Sequence, residues 1–328
     1  MRLVSFQIPT PMGPQTRTGA LDAQGRVVDL AAAYRLKLLL DGLAERAAAR
    51  ISAALLPGDM VELIEGGERA LEAAGTALEW AARCGAETTI GGAMFAYDMR
   101  GLTMLAPVPG PPLLRDFMGF ETHLKNIYPR LGREIPPEWY NLPVYYKGNP
   151  GSLATHGDDI PMPSYAEELD FEFELAFVIG KGGTNIPRER AMEHVFGYTI
   201  YNDFSARAIQ SREMSVGLGP AKGKDFTRGH VFGPWLVTAN EIPDVYDLHM
   251  IVRVNGEVWC DSNSGTIHWQ IADMIAHASL AEQLRPGELF GSGTVGNGSG
   301  AERGQMLKRG DVVELEVERL GVLRNRVV

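Results

Sequence analysis

Two glutamates, Glu172 and Glu174, alternate with apolar residues in the stretch LDFEFELAFVIG at 169–180. If this stretch is a β-strand, its period of two puts both carboxylates on one face, about 7 Å apart. Ala176 and Val178 continue that face. The carboxylates therefore enter an apolar surface and need a compensating cation, because unpaired buried charge is costly. Carboxylate oxygens suit Mg²⁺, Mn²⁺ or Ca²⁺ better than Zn²⁺, so the pattern predicts a divalent metal site.

A second acidic alternation in the same chain provides a contrast. Glu314, Glu316 and Glu318 are spaced in the same way, but their whole face is charged and Arg319 follows directly. That pattern is typical of a solvated strand face. The spacing alone therefore does not indicate a metal, and the prediction for the first stretch depends on its apolar neighbours.

A third acid, Asp203, ends another apolar stretch, GYTIYND at 197–203. Arg207 and Gln210 follow it at helical spacing, which would place the three side chains near one another. Taken alone, this arrangement is equally typical of a helix N-cap and an exposed helix face.

Three further segments carry candidate residues. Lys224 lies in a Gly-Lys loop that lacks the spacing of a phosphate-binding P-loop. The run GSGTVG at 291–296 matches a dinucleotide motif literally, but a Gly/Ser-rich run follows it instead of a helix. Its backbone N–H groups and Thr294 could instead hold a substrate carboxylate. Asp116 and His123 share a polar segment, and His123 is the histidine that we single out as a candidate base.

The elements that must position these residues fall into two regions. Residues 1–105 combine strand-like segments with Ala-rich helical ones and predict a small accessory α/β domain. A Pro-rich linker follows, and residues 106–328 consist mainly of short strands separated by turns. We therefore predict an α+β fold that is mostly β, with the candidate site in the second domain.

Composition excludes several classes of partner. The chain of 328 residues carries a formal charge of −10 and no basic stripe, so we expect no nucleic-acid partner. The two cysteines, Cys84 and Cys260, cannot form a disulfide framework or a familiar metal spacing. The N-terminus lacks the apolar region of a signal peptide, and no uncharged apolar run approaches about 20 residues. These features predict a cytoplasmic protein without a membrane partner.

Five ordered motifs in residues 105–328 resemble the fumarylacetoacetate hydrolase family. They are D-F-x-x-x-x-x-H (116–123), L-D-F-E-F-E-L-A (169–176), Y-N-D-F-S-A-R-A-I-Q (201–210), G-K-D-F with G-P-W (223–226 and 233–235), and S-G-T (292–294). The resemblance implies a mixed β-roll catalytic domain, a homodimer, and a central Mg²⁺ or Mn²⁺ ion, with Ca²⁺ as an alternative.

The resemblance also implies a role for each matching residue. It implies Glu172, Glu174 and Asp203 as metal ligands, Arg207, Gln210, Thr294 and Asp116 as substrate-binding residues, Lys224 as a group stabilising developing oxyanion charge, and His123 as the general base. Asp116 matches a further acidic ligand that only some members use. The acid that would orient His123 is replaced by Lys308 at its expected position, which leaves Glu121, Glu138 and Glu302 as candidates.

The implied activity is metal-dependent hydrolysis of a carbon–carbon bond in a 2,4-diketo acid such as an acylpyruvate, of the kind found in aromatic catabolism. In that reaction His123 activates water, and the bond breaks to leave a metal-bound enolate. The alternative is decarboxylation of an oxaloacetate-type acid, or isomerisation or hydration of an unsaturated diacid, at the same site. In each case we expect a small keto acid as the partner. Residues 120–150 resemble a mobile lid over the site. The remaining alternative for the whole protein is a non-catalytic scaffold that keeps the fold.

Overall fold

The computed structural model describes residues 1–85, 87–90 and 92–328. Within these residues the chain divides into two units, Met1–Pro109 with Trp235–Thr238, and Gly110–Pro234 with Ala239–Val328. The division lies a few residues beyond the predicted boundary at 105/106, and it assigns the short segment 235–238 to the first unit. Among the described residues, no helix is long and apolar enough to cross a membrane.

The first unit contains short strands and a group of helices. Its strands are β1 (Arg2–Ile8), β2 (Gln15–Leu21), β3 (Val27–Asp29), β4 (Thr89–Ile90), β5 (Ala93–Met94), β6 (Ala96–Tyr97) and β7 (Thr103–Met104), and its helices are α1 (Leu30–Leu40), α2 (Glu45–Leu55), α3 (Met60–Glu65) and α4 (Gly67–Arg83). Asp29 caps α1 by accepting the backbone N–H of Ala32 at 3.0 Å. Helix α4 buries a stripe of small residues at helical spacing, including Ala70, Ala73 and Ala77.

The second unit is built mainly from strands. They are β8 (Leu114–Phe117), β9 (Tyr145–Gly148), β10 (Leu153–Ala154), β11 (Asp159–Ile160), β12 (Phe173–Ile179), β13 (Val195–Asp203), β14 (His230–Thr238, whose last four residues belong to the first unit), β15 (His249–Val254), β16 (Glu257–Asn263), β17 (Leu289–Gly291), β18 (Val312–Val317) and β19 (Gly321–Val327). Its helices are α5 (Glu121–Ile127), α6 (Arg207–Ser215), α7 (Ile271–Ala278) and α8 (Gly300–Arg303). The predicted fold class, α+β and mostly β, is confirmed.

Two sheets organise the second unit. One has the strand order β14-β13-β12-β17-β8-β9, and the other has the order β11-β19-β18-β15-β16. In the first sheet β12 pairs antiparallel with β13 and β17, whereas β17 runs parallel to β8. Every residue of β12 and β13 is buried. Polar side chains on these central strands therefore need partners inside the protein.

Candidate functional site

Three buried carboxylates meet in the first sheet of the second unit. Asp116, Glu174 and Asp203 each offer a ligand atom, and these atoms all lie within 4.8 Å of one another. They come from β8, from β12 and from the last residue of β13. The strand register brings the first two together, because Gly291 of β17 pairs with Asp116 on one side and with Ala176 of β12 on the other. We call these three residues the acidic cluster.

Gly291 leaves the space that the acidic cluster occupies. A Cβ atom at this position would lie 2.5 Å from Asp116 Oδ1 and 2.7 Å from Glu174 Oε2. Real Cβ atoms do not approach so closely, so any side chain here would push the carboxylates away. The glycine was part of a motif in the sequence, but this role depends on the strands on either side of it.

The acidic cluster fits a hard divalent cation. One oxygen of each carboxylate, Asp116 Oδ1, Glu174 Oε1 and Asp203 Oδ1, is buried without a hydrogen-bond partner among the described residues. Buried polar atoms are rarely left unpaired, and an ion is one of the groups that explains such atoms. Oxygen-only ligands of this kind suit Mg²⁺, Mn²⁺ or Ca²⁺.

The pKa values of the three carboxyl groups in the acidic cluster also favour a bound cation. Burial raises the pKa of Asp116 well above its ordinary value, and the Asp203 carboxylate raises it further. Burial and the Asp116 carboxylate likewise raise the pKa of Glu174. The pKa of Asp203 is lowered, because Lys224 and His230 outweigh the effect of its burial. Without a cation, Asp116 and Glu174 therefore favour the protonated form, because nearby positive charge does not offset their burial and mutual repulsion.

Glu172 lies beside the cluster but faces two cations of the protein. It immediately precedes β12, and its carboxylate accepts a hydrogen bond from Lys224 Nζ at 2.5 Å and another from Arg207 Nη2 at 2.7 Å. Lys224 Nζ also donates to Asp203 Oδ2 at 2.5 Å. Burial would raise the pKa of Glu172, but Arg207 and Lys224 outweigh it and lower this pKa to about 2. Glu172 is therefore held as a carboxylate.

Arg207 links the site to a further buried acid. Its Nε and Nη2 atoms donate to Asp170 Oδ2 at 2.8 and 2.5 Å, and its Nη1 donates to Gln210 Oε1 at 3.0 Å. Asp170 also accepts the backbone N–H of Gly300 at 2.7 Å. The sequence analysis did not single out Asp170, although it lies in the same acidic stretch as Glu172.

Tyr146 is a second residue of the site that the sequence analysis missed. Its hydroxyl donates to Asp203 Oδ2 at 2.7 Å, and its strand β9 pairs Tyr146 with Asp116. The Tyr-Tyr pair at 145–146 in a short strand was its only sequence signal. Nothing in the local pattern distinguishes it from an ordinary core tyrosine.

His123 stands at the edge of the site on helix α5. Its Nε2 lies 4.0 Å from Glu172 Oε1, and its Nδ1 lies 3.0 Å from Glu302 Oε2, although the ring is not aligned for a direct hydrogen bond. Glu302 is buried and held by the backbone N–H groups of Asn297 and Ser299 at 2.8 and 3.1 Å, and by Asn126 Nδ2 at 2.9 Å. Of the three acids left open for orienting the histidine, the structure places Glu302 against His123.

The remaining predicted residue, Thr294, is buried in the loop that follows β17. This loop contacts the cluster through the backbone N–H of Gly293, which donates to Glu174 Oε2 at 2.8 Å. The structure thus brings the predicted residues into one region but groups the acids differently. Asp116, predicted among the substrate-binding residues, lies in the cluster, whereas Glu172, predicted as a metal ligand, lies between Arg207 and Lys224.

Residues 113–328 match the family model described as "Fumarylacetoacetate (FAA) hydrolase C-terminal". The chain belongs to the fumarylacetoacetate hydrolase family. The matched region contains the acidic cluster, His123, Lys224 and Glu302.

Members of the family that resemble this chain carry different activities in their names. The chain is 33% identical to the mitochondrial oxaloacetate tautomerase fahd2 of Xenopus laevis, a match that covers 100% of this chain and 90% of the relative. It is 30% identical to the oxaloacetate tautomerase YisK of Bacillus subtilis, covering 83% and 87%. It also resembles the structure of fumarylpyruvate hydrolase from Pseudomonas aeruginosa in complex with Mn²⁺ and pyruvate, with 27% identity, a TM-score of 0.58, and coverage of 66% and 90%.

Proposed function

We propose that this chain is a divalent-metal-dependent enzyme that interconverts the keto and enol forms of oxaloacetate or a closely related 2-oxo diacid. The observation that carries the proposal is the position of His123, backed by Glu302 and next to the acidic residues of the site. A base beside a cation site is the arrangement that proton transfer next to a carbonyl group requires. The names of the two relatives that match most of the chain favour oxaloacetate as the substrate.

Asp116, Glu174 and Asp203 would hold the cation, which matches two of the three metal ligands implied by the sequence. A bound Mg²⁺ or Mn²⁺ would act as a Lewis acid toward the oxo acid and make the C–H group next to its carbonyl more acidic. Arg207 and Gln210 are hydrogen-bonded to each other beside Glu172, and with Thr294 they would orient the acid.

The proton moves between the substrate carbon and His123. In the keto-to-enol direction, His123 takes a proton from C3, the C–H electron pair forms the C2=C3 bond, and the C2 oxygen becomes an enolate that takes a proton from water. The hydroxide left by that water takes the proton from His123, which restores the free base. Asp203 and Glu172 outweigh the effect of burial and raise the pKa of Lys224, so that Lys224 stays protonated. It would act as a fixed positive charge that stabilises the enolate. In the reverse direction, the protonated His123 returns the proton to C3.

A second candidate reaction is hydrolysis of a carbon–carbon bond in an acylpyruvate, as the sequence predicts. The likeness to a fumarylpyruvate hydrolase structure that contains pyruvate favours it. The same residues would act, but His123 would take its proton from water, and the hydroxide would attack the distal carbonyl. Bond cleavage then leaves an enolate of pyruvate, which Lys224 would stabilise in the same way.

Two assays on metal-stripped protein test the proposal. One follows the decay of enol-oxaloacetate absorbance, and the other follows the loss of the 2,4-dioxo chromophore of a panel of acylpyruvates, each with and without added Mn²⁺ or Mg²⁺. We expect metal-restored tautomerisation that falls about 10²–10⁴-fold in His123→Ala, the range that a general base contributes. His249→Ala is the matched control, because His249 is exposed and bonded to Asp261 at 2.6 Å.

Each outcome separates the candidates. Acylpyruvate cleavage without tautomerisation would replace the first proposal by the hydrolase, and loss of oxaloacetate carbon as CO₂ would indicate a decarboxylase. Tautomerisation that survives both metal removal and His123→Ala would contradict the proposed roles of the acidic cluster and of His123.

A further inference from the structure

A buried histidine outside the family motifs lies against the acidic cluster. His230 begins β14 and is fully buried. Its Nδ1 atom lies 2.7 Å from the hydroxyl oxygen of Tyr201, and it lies 3.2 Å from Asp203 Oδ1, close to that oxygen but not aligned for a hydrogen bond with it. On the other side of the ring, Nε2 lies 2.8 Å from Asp225 Oδ1. The ring therefore connects a carboxylate of the acidic cluster to a second carboxylate outside it.

Asp225 is itself fixed in place. Its Oδ1 atom accepts the backbone N–H of Asn149 at 2.9 Å. It also follows Lys224 directly in the chain, and Lys224 Nζ donates to Asp203 Oδ2 at 2.5 Å. Two consecutive residues thus act on opposite oxygens of Asp203, Lys224 by direct contact and Asp225 through His230.

Contacts to both oxygens matter because the carboxylate of an aspartate rotates easily. Its χ2 torsion is broad, and both oxygens turn together about the Cβ–Cγ bond, so each further contact at either oxygen narrows the range of that rotation. In this structure Lys224 and Tyr146 hold Oδ2, and the ring of His230 stands beside Oδ1. Groups that orient metal-binding side chains in this way typically change metal affinity 10- to 100-fold when they are removed.

We propose that Asp225 and His230 form a positioning pair that fixes the Asp203 carboxylate in the orientation needed to bind the cation. The inference rests on the cation site of the proposed function but adds residues that touch neither the cation nor the substrate. Asp225 acts by holding His230, and His230 acts by confining Asp203. Neither residue moves a proton in the reaction.

The test measures Mn²⁺ affinity by calorimetry on metal-stripped protein, independently of turnover. We expect Asp225→Ala to weaken Mn²⁺ binding about 10- to 100-fold. Asp225→Ala leaves the Nε2 atom of the buried His230 without its carboxylate partner, so thermal unfolding of the metal-free variant is measured alongside to verify that it is folded at the temperature of the titration. Asp225→Asn retains an acceptor oxygen for His230 and should recover most of the affinity.

A double-mutant cycle tests whether Asp225 acts through His230. In a His230→Gln background, Asp225→Ala should cause no further loss of affinity, since the ring that it holds is gone. His194→Gln is the matched control, because His194 is also buried but its Nδ1 contacts the backbone oxygen of Lys181 at 2.6 Å. That variant should bind Mn²⁺ like the parent.

Three results would overturn the positioning pair while leaving the proposed function intact. They are parent-like Mn²⁺ affinity in Asp225→Ala, an equal loss in Asp225→Asn, and fully additive losses in the double variant. A parent protein that takes up no Mn²⁺ would instead overturn the cation site, and with it both proposals.

Discussion

At the scale of single residues, the position of His123 depends on Glu302. Glu302 is the third residue of α8 and forms a capping box with Ser299, and its Oε2 atom faces His123 Nδ1 at 3.0 Å. Although the ring is not aligned for a direct hydrogen bond, a carboxylate this close to Nδ1 favours the tautomer with its proton on that nitrogen, which leaves Nε2 free to accept a proton. We therefore expect Glu302→Gln to lower the turnover of oxaloacetate roughly 10- to 100-fold, part of the ~10²–10⁴-fold that a general base contributes.

The control separates this effect from the loss of a helix cap. Asp273 is the third residue of α7, in the same unit, and forms a capping box with Gln270. Asp273→Asn should lose comparable stability, measured as unfolding temperature, but keep turnover. Equal turnover in Glu302→Gln and the parent would show that the acid only caps its helix.

Glu302 also shows which part of the site the sequence could not predict, namely the acid that lies beside His123. The sequence identified His123 from its spacing to Asp116, because both belong to one short segment. Its partner could not be chosen among Glu121, Glu138 and Glu302, since that choice depends on where α8 lies relative to α5. Helices α5 and α8 pack against each other, which brings two residues distant in sequence together.

At the scale of elements, the short strand β17 lies between β8 and β12 and sets the distance between the acids that these two strands carry. Gly291 pairs with Asp116 and with Ala176. The carboxylates of Asp116 and Glu174 occupy the space where a side chain at Gly291 would lie. We expect Gly291→Ala to weaken Mn²⁺ binding and to destabilise the protein by about 1–3 kcal/mol, the usual cost of overpacking. Calorimetric titration and thermal unfolding of the metal-free protein measure the two effects.

Gly110→Ala is the matched control for this substitution. A Cβ at Gly110 would meet no atom within 4 Å, so the change should leave both Mn²⁺ affinity and unfolding temperature close to those of the parent. If Gly291→Ala behaved in the same way, the carboxylates would not need the space that this glycine leaves.

The same strands show how much of the site the sequence could predict. The apolar stretch ending at Asp203 corresponds to β13, and the alternation at 169–180 contains β12, because a buried strand has a local signature. Strand β12 begins only at Phe173, however, and Glu172 lies just outside it. The neighbours of β12 have no such signature, since strand order and register depend on contacts distant in sequence. The sequence therefore could not predict that Asp116 and Tyr146 lie beside Asp203, because their positions depend on how β8 and β9 pair in the sheet.

At the scale of the whole molecule, the cation should bind and stabilise one of the two units. The acidic cluster lies entirely in the second unit, and its acids come from β8, β12 and β13. A ligand at 100 times its Kd stabilises the folded state by about 2.7 kcal/mol, provided that the unfolded chain does not bind it. For a domain of roughly 150–250 residues, that corresponds to a rise of about 5–11 °C in unfolding temperature.

Hydrogen exchange of the metal-stripped protein, with and without Mn²⁺, locates this stabilisation. We expect slower exchange in β8, β12 and β13, because one ion would connect acids on all three strands. The amides of α1 and α4 in the first unit are the internal control, and their exchange should not change. A chelator should reverse the protection. Uniform protection of both units, or protection that persists in an Asp116→Asn, Glu174→Gln double variant, would mean that Mn²⁺ binds elsewhere.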